Sequence, residues 1–143
     1  MSSQKKLYRA GPYADLFSEG VQVGEALYLA GQVGVDEKGR APDDLVEQMK
    51  LAYANIQHVL AQFDATIDHL VEETWFVTDI EDCMSKAPAL FSARQAIYGK
   101  KPEVAQTLVQ VVALVDPSFK IEIKCIAAMN APANDNALLV RVV

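Results

Sequence analysis

Two apolar stretches near the C-terminal end decide the fold: VAQTLVQVVAL at residues 104–114 and KIEIKCIAAM at residues 120–129. The second stretch begins with strict alternation, in which Glu122 and Lys124 separate apolar residues. That period of two predicts a strand with one face in a core. The first stretch is largely apolar on both faces, which indicates a strand that is covered on both sides. Because the turn-forming residues 116–118 separate the two stretches, we expect two consecutive strands here.

Upstream of these strands, the pattern alternates between helix and strand. Apolar side chains recur at steps of three and four from Leu45 to Phe63, which predicts a helix. Pro42 and the two acids after it are typical of a helix start, and Gly99 is typical of the end of a second helix. The predicted elements are a strand at 7–9, a hairpin that turns at 24–25 and continues to 33, a helix at 45–63, a strand at 67–77, a connection at 79–84, a helix at 85–98, and the two strands above.

This order indicates an α/β or α+β chain with one sheet and two helices on one face. The opposite face of the sheet then needs a cover, because strands such as residues 109–112 are apolar on both sides. A chain of 143 residues leaves no third layer for that purpose. We therefore expect a second copy of the chain to cover the open face.

Composition excludes several classes of protein. A hydrophobic content of 51% is too high for disorder, and 13 basic against 19 acidic residues argue against a nucleic-acid binder. No apolar run approaches the roughly 20 residues that cross a bilayer. We expect one domain at 1–130 and an extension at 131–143 whose end docks on its own or a neighbouring subunit. With no secretory signal in residues 1–10, we expect a cytoplasmic protein whose two cysteines are reduced thiols.

General catalytic motifs are absent from the sequence, and its two separated histidines make a zinc site improbable. Three features remain. Residues 11–13, Gly-Pro-Tyr, form either a structural turn or a presented hydroxyl. Glu122 is either on a solvated strand face or a buried acid able to move a proton near neutrality. Residues 31–34, Gly-Gln-Val-Gly, form either a simple bend or a loop that offers backbone N–H groups to a ligand.

Together with their spacing, these features resemble the RidA/YjgF family, also called the endoribonuclease L-PSP family. The resemblance extends from Ala10 to Ala128. The stretches that carry it are GPY at 11–13, LAGQVG at 29–34, the helix at 51–63, VTDIED at 77–82, TLVQVVAL at 107–114 with Pro117, and IEIKCIA at 121–127.

The resemblance implies an α+β fold similar to chorismate mutase, with a mixed six-stranded sheet and two helices on one face. It implies a homotrimer around a central barrel, with small-molecule clefts between subunits. Family members with a complete site hydrolyse enamines and imines such as 2-aminoacrylate to a keto acid and ammonia, without a metal or organic cofactor. In them an Arg binds the substrate carboxylate, a Glu positions the attacking water, and a Tyr and backbone groups complete the pocket.

Carried over by position, the resemblance assigns catalytic roles to Glu122 and Tyr13. It assigns ligand binding to Gln106, Thr107, Ala30, Gly31 and Ala87. Three of these positions depart from the family pattern: Gln106 replaces the Arg, Ala30 a Ser and Ala87 an Asn. Loss of one partner of a buried charge pair costs about 2–5 kcal/mol, so we expect a neutral ligand rather than a small amino-acid-derived acid.

Three functions are therefore open. The first is hydrolytic deamination of an enamine or imine by Glu122 and Tyr13, with specificity altered from 2-aminoacrylate. The second is a non-catalytic trimer that binds a small metabolite in the same clefts. The third is the ribonuclease or translation-inhibitor activity of the older family name, which the net charge of −6 disfavours.

Overall fold

A computed structural model describes residues 4–131, which form one sheet with helices packed on it. The elements in chain order are β1 Lys5–Tyr8, β2 Gly20–Val23, β3 Ala26–Leu29, β4 Gln32–Val33, α1 Leu45–Ala61, a 3₁₀ helix at Ile67–His69, β5 Leu70–Val77, α2 Ile80–Ser85, α3 Ala87–Tyr98, β6 Ala105–Gln110 and β7 Ile121–Ala128.

The alternating C-terminal stretch is the centre of the sheet. The strand order is β1-β2-β3-β7-β5-β6, and β4 also pairs with β7. The β5–β6 pair is parallel and every other pair is antiparallel, so the sheet is mixed. This confirms the α+β class expected from the sequence.

The core lies between β7 and the helices. Ile121, Ile123 and Cys125 are at most 1% exposed, whereas Glu122 and Lys124 point to the other face, as the alternation predicts. The apolar side chains of α1, whose spacing predicted the helix, pack against this side of the sheet. Asp44 caps α1 by accepting a hydrogen bond from the backbone N–H of Glu47 at 2.9 Å.

Four expectations were wrong in detail. Residues 79–84 are not a plain connection, because Asp79 caps the short helix α2 by accepting from the Asp82 N–H. Within residues 4–131 the sheet has seven strands rather than six, since the expected second hairpin arm breaks after β3 and resumes as the two-residue β4. The same residues form three α-helices rather than two, and the first apolar stretch is a strand only as far as Gln110.

The face of the sheet opposite the helices carries apolar side chains that the described residues leave open. Tyr28 is 47% exposed on β3 and Val109 is 38% exposed on β6. A covering copy of the chain stays a prediction, as does the domain boundary at residue 130. The predicted docking of the C-terminal end lies outside the described residues. Within residues 4–131, no helix is both long and apolar enough to cross a membrane.

Candidate functional site

Glu122 lies on the open face of the sheet, where β7 is flanked by β4 and β5. Its neighbours across these pairs are Val33 and Phe76. The carboxylate packs on Gly31, where an added Cβ would lie 2.8 Å from Glu122 Cδ and closer still to Oε2. Burial raises the pKa of Glu122, and nearby Lys124 opposes that rise. The side chain is therefore a half-buried acid packed on Gly31, with a pKa shifted toward the range in which a carboxyl group exchanges protons near neutrality.

The segment between β3 and β4 holds Ala30 and Gly31 beside that acid. The Ala30 N–H donates to the Glu19 carbonyl at 2.8 Å. Gln32 Nε2 donates to Glu19 Oε2 at 2.8 Å and to the Ala30 carbonyl at 3.2 Å. Ala30 therefore has its backbone N–H and carbonyl engaged in hydrogen bonds within the chain.

Tyr13 lies in the loop that joins β1 to β2. Its carbonyl accepts from the N–H groups of Leu16 and Phe17, and its ring stacks on the Phe17 ring at 5.6 Å between centroids. The ring is 47% exposed. The same loop ends at Glu19, whose carbonyl accepts a hydrogen bond from the Ala30 N–H. The loop therefore lies at the end of the sheet where Gly31 contacts Glu122.

Two of the remaining predicted ligand residues, Gln106 and Thr107, lie on the edge strand β6. Thr107 is on the edge strand β6 and pairs through Thr74 with Lys124, so it shares the open face with Glu122. Gln106 points the other way, toward the helices. Ala87 is the first residue of α3.

Gln106 and Glu122 therefore do not meet within one chain. Across the strand pairs, Gln106 lies beside Glu73 and Glu122 beside Phe76. Glu73 and Phe76 are three positions apart on β5, so their rows of side chains point to opposite faces. One chain brings together Ala30, Gly31 and Glu122, and it places Gln106 and Ala87 elsewhere.

Sequence reasoning missed the group that Gln106 contacts. Glu73 is fully buried on β5, and four side-chain donors surround its two oxygens. Tyr53 and Tyr98 donate to Oε1 at 2.8 and 2.6 Å, and Arg94 Nε and Gln106 Nε2 donate to Oε2 at 3.1 and 2.7 Å. We call these five residues the Glu73 cluster. Its only sequence signal is the pair of adjacent acids, Glu72 and Glu73, inside a strand that is apolar at both ends.

The phenols of the Glu73 cluster are fixed as donors. Burial raises the pKa of Tyr53 and that of Tyr98, so both hydroxyls keep their protons. Trp75 Nε1 donates to the Tyr53 oxygen at 3.0 Å, which completes the hydrogen bonding of that hydroxyl. Burial alone would lower the pKa of Arg94, but the adjacent Glu73 raises it above its usual value.

Neither cysteine is suited to nucleophilic chemistry. Cys83 and Cys125 are free, buried thiols. Burial raises the pKa of both, assisted by Asp82 at Cys83 and by Glu73 at Cys125. In the part of the chain that the structure describes, no three His, Cys, Asp or Glu residues are grouped as a metal site would require.

The fold and this arrangement define a class: a mixed sheet with helices on one face and a half-buried acid beside a glycine on the other. The chain belongs to the Endoribonuclease L-PSP family, also called RidA/YjgF, whose family model matches residues 7–129.

Named relatives agree with that membership. The chain is 32% identical to the RutC family protein YjgH of Escherichia coli over 111 residues, 78% of this chain and 81% of that protein. It is 31% identical to a mouse 2-iminobutanoate/2-iminopropanoate deaminase over 134 residues, 89% of this chain and 88% of the relative. The crystal structure of Rv2704 from Mycobacterium tuberculosis, a member of the YjgF/YER057c/UK114 family, superposes with a TM-score of 0.73. That comparison has 26% identity and covers 87% of this chain and 99% of Rv2704.

Proposed function

We propose that this chain hydrolyses an enamine- or imine-type metabolite to a carbonyl compound and ammonia. The observation that carries the proposal is the half-buried Glu122 carboxylate packed on Gly31. The similarity to an iminobutanoate/iminopropanoate deaminase over 89% of the chain supports the reaction class. We also propose that the protein is cytoplasmic and that nucleic acid has no part in its function.

The reaction that these residues support is addition of water to a C=N bond. Glu122 accepts a proton from water as the water oxygen bonds to the carbon, and the C=N electron pair moves to nitrogen. The nitrogen then takes that proton from Glu122, which is a carboxylate again. Proton transfer from the new hydroxyl back through Glu122 to nitrogen lets the C–N bond break. Ammonia then leaves and a C=O bond remains. Tyr13 positions the substrate with its hydroxyl.

The complete site in this proposal is shared between copies. Because Gln106 and Glu122 lie on opposite faces of one sheet, a single cleft that contains both needs two chains. The open face with Tyr28 and Val109 supplies an apolar surface for that association. We propose a homotrimer with Tyr13, Ala30, Gly31 and Glu122 from one chain facing Gln106, Thr107 and Ala87 from the next.

A specific observation favours a second function, a non-catalytic trimer that binds a metabolite in the same clefts. Gln106 is neutral and already bonded to Glu73, so it offers no charge to the carboxylate of an amino-acid-derived imine. A protein of this kind would bind its ligand with Glu122 and leave it unchanged.

A turnover assay separates the two functions. An amino acid oxidase generates 2-iminopropanoate or 2-iminobutanoate, and keto-acid release is timed with wild type, Glu122→Gln and Glu72→Gln. Glu72 is an exposed acid on the same face of the neighbouring strand, so it controls for the loss of one charge. We expect Glu122→Gln to slow release at least about 100-fold and Glu72→Gln to change it less than about two-fold. Equal rates in wild type and Glu122→Gln would contradict catalysis and favour the binding function.

A further inference from the structure

The Glu73 cluster has a net charge of zero. Glu73 carries one negative charge and Arg94 one positive charge, and the other three members are neutral. The Arg94 side chain is only 12% exposed, and its guanidinium lies 5.7 Å from the Phe91 ring centroid and 5.5 Å from that of Tyr98. The cation next to Gln106 is therefore paired with Glu73 through Nε and lies against two aromatic rings, so the cluster as a whole carries no net charge.

Glu73 also fixes the orientation of the Gln106 amide. A carboxylate that receives three other donors accepts only hydrogen bonds, so the amide must turn Nε2 and not Oε1 toward it, as the 2.7 Å contact shows. Gln106 Oε1 receives no hydrogen bond from residues 4–131. Since no buried side-chain oxygen or nitrogen in that range lacks a partner, Oε1 is open to solvent.

We propose that Glu73 is a positioning residue which pairs off Arg94 and holds Gln106 Oε1 outward, so that the ligand subsite at Gln106 takes an uncharged N–H or O–H donor such as a primary amide. The placement of the ligand at Gln106 rests on the proposed function. A carboxylate would meet an outward carbonyl oxygen, and the cation of the Glu73 cluster, Arg94, is already paired with Glu73, whereas an amide NH₂ finds an acceptor.

The test compares two stable compounds that differ only at the group in question, pyruvate and pyruvamide. The full-length protein is titrated with each, and binding is followed by amide chemical shifts in its ¹H–¹⁵N spectrum. We expect wild type to bind pyruvamide at least about ten-fold more tightly than pyruvate. Gln106→Arg is expected to reverse that preference, while Gln95→Arg, which adds the same charge at an exposed position of α3, leaves it unchanged.

Glu73→Gln examines the positioning role. This variant frees the Arg94 charge and lets the Gln106 amide turn, so we expect the affinity ratio of pyruvamide to pyruvate to fall at least about ten-fold. A merely structural role would weaken both compounds alike and leave the ratio unchanged. Should Glu73→Gln fail to fold, the reversal in Gln106→Arg decides the matter alone.

Equal or tighter binding of pyruvate by wild type would overturn the inference, and so would the absence of binding by both compounds. These outcomes are distinct from a failure of the proposed function. Preference for pyruvamide without turnover of any imine would retain the inference and reject catalysis. Rapid turnover of 2-iminopropanoate with a preference for pyruvate would retain catalysis and reject the inference.

Discussion

The buried pair of Glu73 and Arg94 predicts strong energetic coupling between the two side chains. Glu73→Gln leaves the Arg94 guanidinium in the core without its counter-charge. We expect this variant to lose about 3–5 kcal/mol of unfolding free energy. Arg94→Met leaves a buried carboxylate that still receives three neutral donors at 2.6–2.8 Å. Its expected cost is at the lower end of that range, about 3 kcal/mol.

The double variant should cost much less than the sum of the single variants. It buries no charge, and the carbonyl oxygen of the amide introduced at position 73 still accepts from the two phenols, so we expect a loss of about 2–4 kcal/mol. The single losses sum to about 6–8 kcal/mol, so the coupling energy is about 4 kcal/mol, at or above the upper end of values for residues in contact.

Urea unfolding followed by tryptophan fluorescence measures this cycle. The chain has one tryptophan, and Trp75 is well placed because its indole donates to Tyr53 and stacks on Phe91 at 5.2 Å. All variants are compared at one protein concentration, since association between copies shifts the midpoint. Additive losses in the double variant would refute the reasoning, and so would single variants that each lose less than about 1 kcal/mol.

Three further predictions concern the glycines and the acid of the open face. Gly34→Ala would place a Cβ 2.6 Å from the Gln48 carbonyl carbon in α1, so thermal or urea unfolding should show a loss of at least about 2 kcal/mol. At Gly31 the three atoms nearest to an added Cβ belong to the flexible Glu122 side chain, so Gly31→Ala should lower kcat in the imine assay while stability changes by less than about 1 kcal/mol. Burial raises the pKa of Glu122 in the folded state, so its stabilising contribution is complete below the unfolded pKa and is lost as pH rises through the folded pKa. Glu122→Gln should thus gain stability relative to wild type from pH 4 to pH 7, and a constant difference over that range would contradict this.

The fold was largely predictable because its strongest signals coincide with its core. Strict alternation in β7 and the apolar stripe of α1 each identify a buried face, and burial is what both patterns report. The short helix α2 was missed because six residues are too few for a helical stripe to show. Asp79 is nevertheless a typical cap, and it was the one signal available.

The candidate site was predictable only in part. The family resemblance assigned Glu122 and Gly31 to one pocket, and the pairing of β4 with β7 brings them into contact. The Glu73 cluster joins two strands and two helices, and the residues that surround Glu73 are distant in sequence, with Tyr53 and Gln106 on either side of it. The sequence does not indicate which of Glu72 and Glu73 points into the core, because a shift of the strand register by one residue exchanges the two faces of the sheet.

The central position of β7 sets the order in which the chain is able to fold during synthesis. The first three strands join β5 and β6 only through β7, which is the last element of the described chain. Until residues 121–128 have left the ribosome, the nascent chain consists of two incomplete half-sheets with open edges. Such edges are exposed to pairing with other chains, so the interval before β7 emerges is the period in which this protein most needs a chaperone.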